Sequence, residues 1–298
     1  METRIIKVSV VIPVYGQWDL AERNVKSLLQ FDEQYIREIL IIDDCSPESQ
    51  PNTIIHPLVR IEKNIKNLGY SGTVNNGLKC AQSDFIILLD SDAYLIGPII
   101  QKFIEIMNSA PLLGCLGFSS VGEHGQTTGS FQFEPTLSGY IVGQALEARF
   151  QNIFKAKKNR IVPLSCCVGF RKRCLEDINY FDAETFPVVE ADVDLALRIH
   201  ETKWKVDVTD QIIVSHQGGH SYKINSKRVR LYHAGKWNLF RKHELIKSPE
   251  LVKSFLMIRI QLEIFVMGIH TLVGKQDATT NDKLQGRRHL LNDIREYQ

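Results

Sequence analysis

Two aspartates follow a strongly apolar stretch in the first third of this 298-residue chain. Residues 85–89 read Phe-Ile-Ile-Leu-Leu, and Asp90 and Asp92 come directly after them. Carboxylates this close repel each other, and a divalent cation relieves the repulsion because Mg²⁺ and Mn²⁺ prefer hard oxygen ligands. Such a cation can also bind the oxygens of a diphosphate. The pair therefore predicts a metal site, although an exposed turn rich in aspartate has the same pattern.

Acidic residues gather at two other places. Asp43 and Asp44 end an apolar segment, and Glu190, Asp192 and Asp194 crowd the start of a segment with helical periodicity. Asp43 and Asp44, followed by Ser46, stand at the carboxyl end of a predicted strand, where ligands bind in open α/β sheets. Acids in the first turn of a helix suit the positive end of its dipole, so for any one of the last three acids taken alone a structural role is favoured over catalysis.

Histidines near residue 216 add a third candidate group. His216 and His220 flank Gly218 and Gly219 after an apolar run. Glycines allow a backbone to approach a ligand closely, and imidazole binds divalent metals. A lone histidine after a strand is more often structural, so this pair only strengthens the metal hypothesis.

The elements that must position these residues alternate between apolar strands and amphipathic helices. Strands are predicted over residues 7–13, 38–43, 58–62, 85–89, 112–118, 204–208 and 211–215, and helices over 18–30, 71–82 and 98–108. Residues 119–138, rich in Gly, Thr, Ser and Gln, are predicted as a loop or irregular excursion. This alternation is typical of a doubly wound, mostly parallel sheet flanked by helices, whose ligands bind at the carboxyl ends of the strands. The glycines at 69, 72 and 77 do not fit a dinucleotide-binding pattern.

Composition narrows the class of protein. The net charge of +2 argues against a dedicated nucleic-acid binder. Six cysteines without Cys-x-x-Cys spacing indicate reduced thiols, and the first residues lack the apolar segment of a signal peptide. We therefore expect a cytoplasmic protein with no nucleic-acid partner.

The last quarter of the chain differs from the rest. Residues 223–247 carry eight Lys or Arg residues interleaved with aromatics, which is typical either of a solvated helix face or of a surface for anionic headgroups. Residues 250–273 are apolar, but Arg259 and Glu263 interrupt them and can pair along a helix, which argues against a membrane span. A docking helix, a homodimer face and an interfacial membrane helix are the alternatives.

Together these motifs resemble the family 2 glycosyltransferases, inverting enzymes with a GT-A fold. The resemblance lies in five motifs in family order across about residues 7 to 245, and the segment 67–77 looks most like the bacterial rhamnosyltransferase-type members. The matching motifs are Val11-Ile12-Pro13-Val14-Tyr15, Ile42-Asp43-Asp44-Cys45-Ser46, Asp90-Ser91-Asp92, Asp192-Val193-Asp194-Leu195-Ala196-Leu197-Arg198, and His216 with Ser221.

The resemblance implies roles for individual residues. Pro13, Tyr15 and Asp44 would line a nucleotide pocket, and Asp90 would lie near the ribose and diphosphate. Asp92 would hold Mn²⁺ or Mg²⁺, His216 would be a further metal ligand, and Asp192 would be the general base.

The resemblance also implies an activity and partners. The expected reaction moves a sugar from a UDP- or dTDP-linked donor to a glycan or lipid-linked acceptor in cell-surface polysaccharide synthesis. The acceptor would bring the protein to the inner face of the cell membrane as a peripheral contact. We expect a GT-A domain over residues 1–245 and a C-terminal helical extension over residues 246–298.

Two positions depart from the family pattern. The family usually has asparagine where this chain has Gly16, and an acidic residue directly before the base, where this chain has Ala191. The second departure leaves open whether Glu190 or Asp192 is the base. Both departures motivate an alternative function, a binding or scaffold protein that keeps the fold without the chemistry.

Overall fold

The computed structural model describes residues 5–143, 160–216, 226–273 and 278–297. Spatial contacts group the chain into two compact units. The first comprises residues 1–134 and 160–218, and the second comprises residues 135–159 and 219–298. The predicted domain boundary between residues 245 and 246 stays a prediction.

The strands of the first unit form a large and a small sheet. In chain order they are β1 (Val8–Val14), β2 (Ile36–Asp43), β3 (Val59–Lys63), β4 (Phe85–Leu89), β5 (Ala93–Leu95), β6 (Leu113–Val121), β7 (Phe131–Phe133), β8 (Ile161–Pro163), β9 (Cys167–Arg171) and β10 (Lys205–His216). β7 and β8 pair with each other, and the remaining eight strands form one sheet in the order β3-β2-β1-β4-β9-β6-β10-β5.

The large sheet is mixed but mostly parallel. β1 pairs in parallel with β2 and β4, β2 with β3, and β6 with β10. β9 lies antiparallel between β4 and β6, and β5 runs antiparallel to β10. Every residue of β1 and β4 is buried, as continuous apolar runs predict for strands covered on both faces. The predicted α/β class with a doubly wound, mostly parallel sheet is confirmed.

Helices flank this sheet. In the first unit they are α1 (Trp18–Asp32), α2 (Gly69–Cys80), α3 (Ile100–Ser109), α5 (Lys172–Asp177) and α6 (Ala191–His200), with one 3₁₀ turn at Glu33–Tyr35. The second unit contains α4 (Leu137–Val142), α7 (Ser226–Lys242), α8 (Pro249–Val273) and α9 (Ala278–Glu296). α2 lies very close to the sheet at Gly77, where a Cβ atom would come within 2.4 Å of Val11 Cγ1. Gly77 therefore allows α2 to pack closely against β1.

Two sequence-based element assignments are wrong. Residues 119–138 are not one loop, because β6 continues to Val121, β7 follows, and α4 begins at Leu137. The two strands predicted between residues 204 and 215 are the single strand β10, which has a register shift between Thr209 and Ile213. The polar residues at that shift interrupt the apolar pattern without ending the strand.

The second unit has its own apolar core. Buried aromatic and aliphatic side chains from the four helices described here and from the connection between α7 and α8 pack together, namely Tyr140, Trp237, Phe240, Ile246, Val252, Leu256, Ile260, Leu290 and Ile294. The predicted pairing along α8 is confirmed, with Arg259 Nε 3.2 Å from Glu263 Oε1. Among the described helices, none is both long enough and apolar enough to cross a membrane.

Candidate active site

One edge of the large sheet collects polar residues from distant parts of the chain. β1, β2, β4 and β10 all end there, because they run in the same direction, and the antiparallel β9 begins there. Four of the predicted site residues directly follow or end those parallel strands: Tyr15, Asp44, Asp90 and His216. Asp92 follows two residues after Asp90, so strand direction alone explains how these side chains come to one edge.

Three of them form a cluster with the geometry of a cation site. Asp90, Asp92 and His216 each offer one ligand atom, and these atoms lie within 4.8 Å of one another. β5 and β10 hold the arrangement, because His216 pairs with Ala93, the residue after Asp92. His216 Nε2 lies 3.3 Å from Asp92 Oδ1. The Asp90 backbone N–H donates to the carbonyl of Cys166 at 2.9 Å, which fixes the turn after β4.

The electrostatics of this cluster favour a cation. Burial, followed by the charge of Asp92, raises the pKa of Asp90 to about 7. Hydrogen bonds with Asp92 and then Cys166 raise the pKa of His216 to about 10. Among the described residues, none hydrogen-bonds the buried Oδ1 of Asp90. Two carboxylates, together with an imidazole that releases its proton when a metal binds, are a donor set for Mn²⁺ or Mg²⁺, so the residues present fit the predicted metal.

Asp192 lies close to this cluster, on the first turn of α6. Burial raises the pKa of Asp192 to about 6, and the negative charge of Glu190 adds to the rise. Hydrogen bonds from the side chain and backbone of Ser165 act in the opposite direction. Glu190 precedes the helix with φ 65°, in the left-handed region. The carboxylate of Asp192 is thus held by donors and remains a stronger base than an exposed aspartate.

The pair of Tyr70 and Ser165 interacts with both Asp90 and Asp192, through hydrogen bonds and charge. Sequence reasoning assigned a role to neither residue. The Tyr70 hydroxyl donates to Ser165 Oγ at 2.8 Å. Burial, then the charges of Asp90 and Asp192, raise the pKa of Tyr70. The phenol therefore lies near both acids. The sequence signal near Ser165 is the run of small residues at 162–170. Such a run fits tight packing at the start of a strand, but it does not indicate the hydrogen bond between Tyr70 and Ser165.

Asp44 is buried and already has several partners. Its Oδ1 accepts hydrogen bonds from the Leu68 N–H at 2.7 Å and from Asn64 Nδ2 at 3.0 Å, and its Oδ2 accepts from the Gly69 N–H at 3.0 Å. These bonds fix the loop before α2 and its first residues. Much of the acceptor capacity of Asp44 is therefore used within the protein.

The end of β1 explains one departure from the family pattern. Pro13 is buried and pairs with Ile42, whereas Tyr15 is 59% exposed at the edge of the sheet. Gly16 has φ +65° and donates its N–H to Ser46 Oγ at 2.8 Å. Glycine and asparagine are the residues that best tolerate this left-handed conformation, so the backbone of Gly16 is one that an asparagine could also adopt.

Asp194 has a structural role. Its side chain is fully buried and accepts a hydrogen bond from Arg198 Nε at 2.8 Å, one turn later on α6. Arg198 also donates to the Ile178 carbonyl at 2.6 Å. Ser221 and Lys223, which belong to the sequence-based hypotheses, lie outside the described residues.

Comparison with known proteins identifies the family. The model of glycosyl transferase family 2 matches residues 9–178, more than half of the chain. The chain belongs to glycosyl transferase family 2. The matched region contains β1 to β4, α2, the Asp90 and Asp92 pair, and Ser165.

Individual proteins that are similar to this chain are consistent with the family assignment. The chain is 33% identical over 100 residues, 30% of each protein, to an undecaprenyl-phosphate 4-deoxy-4-formamido-L-arabinose transferase of Proteus mirabilis. It is similar in fold to the mannosyltransferase PcManGT of Pyrobaculum calidifontis, solved with GDP-Man and Mn²⁺ (TM-score 0.59, 12% identity, 99% of this chain and 88% of that one). It is also similar to GalNAc-T7, solved with UDP, GalNAc and Mn²⁺ (TM-score 0.55, 14% identity, 77% and 48%). Matches to the first curated relatives cover 30% to 42% of their lengths.

Proposed function

We propose that this chain is a metal-dependent inverting glycosyltransferase. It would move a sugar from a nucleotide-sugar donor to a glycan or lipid-linked acceptor during cell-surface polysaccharide synthesis. The observation that carries the proposal is the cluster of Asp90, Asp92 and His216 close to the basic carboxylate of Asp192. The Mn²⁺ and nucleotides in the two similar structures, and the lipid phosphate in the name of the Proteus relative, support it.

The residues at the sheet edge would bind different parts of the donor and its metal ion. Asp92 and His216 would hold Mn²⁺ or Mg²⁺, with Asp90 beside the ribose and diphosphate. When bound, the cation would stabilise the negative charge of the leaving diphosphate. Exposed Tyr15, together with Pro13 and Asp44, would line the nucleotide pocket, with Asp44 acting mainly through the loop that it fixes.

Asp192 would take the proton from the acceptor hydroxyl. Its pKa of about 6 leaves it ionised at neutral pH but more basic than an ordinary aspartate, which suits a general base. The hydrogen bonds of Ser165 would orient it. Glu190, the other candidate, precedes the helix, whereas Asp192 lies on its first turn and accepts hydrogen bonds from the side chain and backbone of Ser165, so we favour Asp192.

The finer specificity rests on the sequence. The segment 67–77 favours a rhamnosyltransferase-type enzyme that uses a dTDP- or UDP-linked sugar. Because nucleotide sugars are made in the cytoplasm, the reaction would take place there, at the membrane face that carries lipid-linked acceptors.

Calorimetry tests this proposal directly. The protein is titrated with UDP-, dTDP- and GDP-sugars in the presence of Mn²⁺, of Mg²⁺, or of EDTA. We expect at least one sugar nucleotide to bind with the cation and to bind much more weakly with EDTA. No binding of any donor would refute the enzyme assignment, and equal binding with EDTA would refute the metal dependence.

One of the two departures from the family pattern that suggested a scaffold protein no longer supports that alternative. The conformation of Gly16 makes that position compatible with the family pattern, and only Ala191 remains as a departure. If Asp192→Asn left the cellular glycan unchanged, the scaffold interpretation would be preferred.

A further inference from the structure

The outer face of α8 carries an exposed row of large apolar side chains, here called the apolar stripe. Its members recur at alternating intervals of four and three residues, so they share one side of the helix. Their exposed fractions range from 46% to 66%. The stripe consists of Leu251, Phe255, Ile258, Leu262, Phe265 and Ile269.

The opposite side of α8 is equally apolar but buried. Val252, Leu256 and Ile260 are 6%, 0% and 0% exposed and belong to the core of the second unit. A helix with two opposite apolar faces normally has both faces covered. An exposed row of this length is therefore a surface that something else covers in the working protein.

Beyond the first turn of α8, which carries the exposed Glu250, the described residues of α8 beside the stripe carry no exposed charge. The exposed residues beside it include Ser254 and Gln261, which are polar but neutral. The two charged side chains in the middle of α8 turn away from the stripe. Arg259 donates to the Tyr140 carbonyl at 2.6 Å, and Glu263 pairs with Arg287 at 2.7 Å.

The unit that carries the stripe is strongly basic. Residues 135–159 and 219–298 contain 19 Lys and Arg and 8 Asp and Glu, a formal net charge of +11. The rest of the chain contains 17 Lys and Arg and 26 Asp and Glu, a formal net charge of −9. Three exposed basic residues, Arg241, Lys242 and Lys247, shortly precede the first residue of the stripe in the chain. The net charge of +2 of the whole protein conceals this separation.

We propose that the apolar stripe of α8 docks on an anionic lipid surface. Its side chains enter the boundary between headgroups and acyl chains while the basic residues of the same unit attract the headgroups. The helix lies in the plane of the membrane and does not cross it. This inference adds a lipid partner to the proposed function, and it holds or fails independently of the donor and the metal.

A second copy of this chain fits the stripe less well. The spacing is also that of a coiled-coil seam, but such seams usually carry complementary charges at the flanking positions. Here those positions include Ser254, Gln261 and Gly268 on one side and inward-facing Arg259 on the other. Two copies would also bring together two units of net charge +11.

Co-sedimentation with vesicles tests the proposal on the full chain. We expect binding to vesicles of phosphatidylcholine with phosphatidylglycerol at low salt, and weaker binding to phosphatidylcholine alone or at high salt. The double variant Leu262→Glu, Phe265→Glu should lower the partition coefficient at least about tenfold. The matched control is Ile55→Glu, an 83% exposed isoleucine of the first unit, which should not change binding. Equal loss in both variants, or no binding of the unchanged protein, would overturn the proposal.

A fluorescent reporter keeps the test independent of destabilising changes. Trp18, Trp204 and Trp237 are each at most 7% exposed, so Phe265→Trp adds an exposed indole to a chain whose own indoles are buried. Its emission should shift to the blue with anionic vesicles, whereas Ile55→Trp should not respond. A dimer seen by ultracentrifugation without lipid, and abolished by Leu262→Glu, would instead show that a second copy covers the stripe and would refute lipid docking.

Discussion

Two places in the molecule, the edge of the large sheet and the surroundings of Arg259 in the second unit, bury ionisable groups in opposite ways. At the edge of the large sheet, Asp90 and Asp192 lie near other acids, and their pKa values are raised. In the second unit, Arg259 contacts the Tyr140 carbonyl and His233 and lies in ion-pair distance of Glu263. Buried charges with partners hold a fold together, whereas crowded like charges cost stability and are kept ready for a ligand. Each of the following tests bears on that difference.

Removal of a predicted metal ligand should have the largest effect. We expect Asp92→Ala to lower glycosyl transfer by more than about 10³-fold and to weaken nucleotide-sugar binding, because the most buried carboxylate of the cluster is lost. Asp90→Ala should weaken binding but leave some activity. The control is Asp84→Ala, an exposed aspartate at the opposite end of β4. Full activity of Asp92→Ala in EDTA would contradict the metal assignment.

Two aspartates on α6 give a matched pair. Asp192→Asn should lower kcat by about 10²- to 10⁴-fold, as loss of a general base does. It should also stabilise the protein by about 2 kcal/mol at pH 7.5, because a carboxyl whose folded pKa is raised contributes stability at low pH and loses it as pH rises through about 6.

Asp194→Asn should behave in the opposite way. It weakens the buried pair with Arg198 and should cost about 3 kcal/mol of unfolding free energy. Urea unfolding and initial rates compare both variants with the unchanged protein. Destabilisation by Asp192→Asn would show that this carboxylate is structural, like its neighbour.

The second unit should lose stability in acid. Burial, followed by the charge of Arg259, lowers the pKa of His233 to about 3. A histidine with a lowered folded pKa contributes its full stability above about pH 6.5 and loses it as pH falls, by about 2 kcal/mol at pH 5. Hydrogen exchange of α8 measured at pH 7 and pH 5, with its intrinsic rates corrected, should show this loss. His233→Gln should reduce it, and an equal loss in that variant would assign the effect to other groups.

The smallest expected effect is a shift in the pH dependence of kcat/KM. The hydroxyl of Ser165 lowers the pKa of Asp192, so Ser165→Ala should move the acidic limb of kcat/KM, expected near pH 6, upward by about half to one pH unit. Ser165→Thr keeps the hydroxyl and should leave the limb in place. A uniform drop in rate without a shift would mean that Ser165 only maintains the structure.

Local patterns in the sequence predict much of this sheet edge. The buried strands before Asp44, Asp90 and His216 are visible as apolar runs, and parallel strands bring their carboxyl ends together. The assignment of His216 to the metal site depends on the pairing of Ala93 with His216, which joins a three-residue strand to a distant one. Nothing in so short a strand encodes its partner.

The parts that sequence reasoning missed depend on strand order. β9 enters antiparallel between β4 and β6, and this insertion places Ser165 and Cys166 beside the acids. Small residues in 162–170 indicate tight packing but not the neighbours. The left-handed conformation of Gly16 also became visible only in three dimensions, because glycine is compatible with almost any backbone.

The pairing of β5 with β10 has a consequence for how the protein is made. Asp90 and Asp92 leave the ribosome more than a hundred residues before His216, and β10 cannot pair with β5 until the ribosome has synthesised the chain as far as His216. Contacts this distant in sequence form late, because a long loop must close first. A nascent chain therefore carries the two aspartates without the histidine while more than a hundred residues are added, and tight capture of a cation would mark the moment at which β10 joins the sheet.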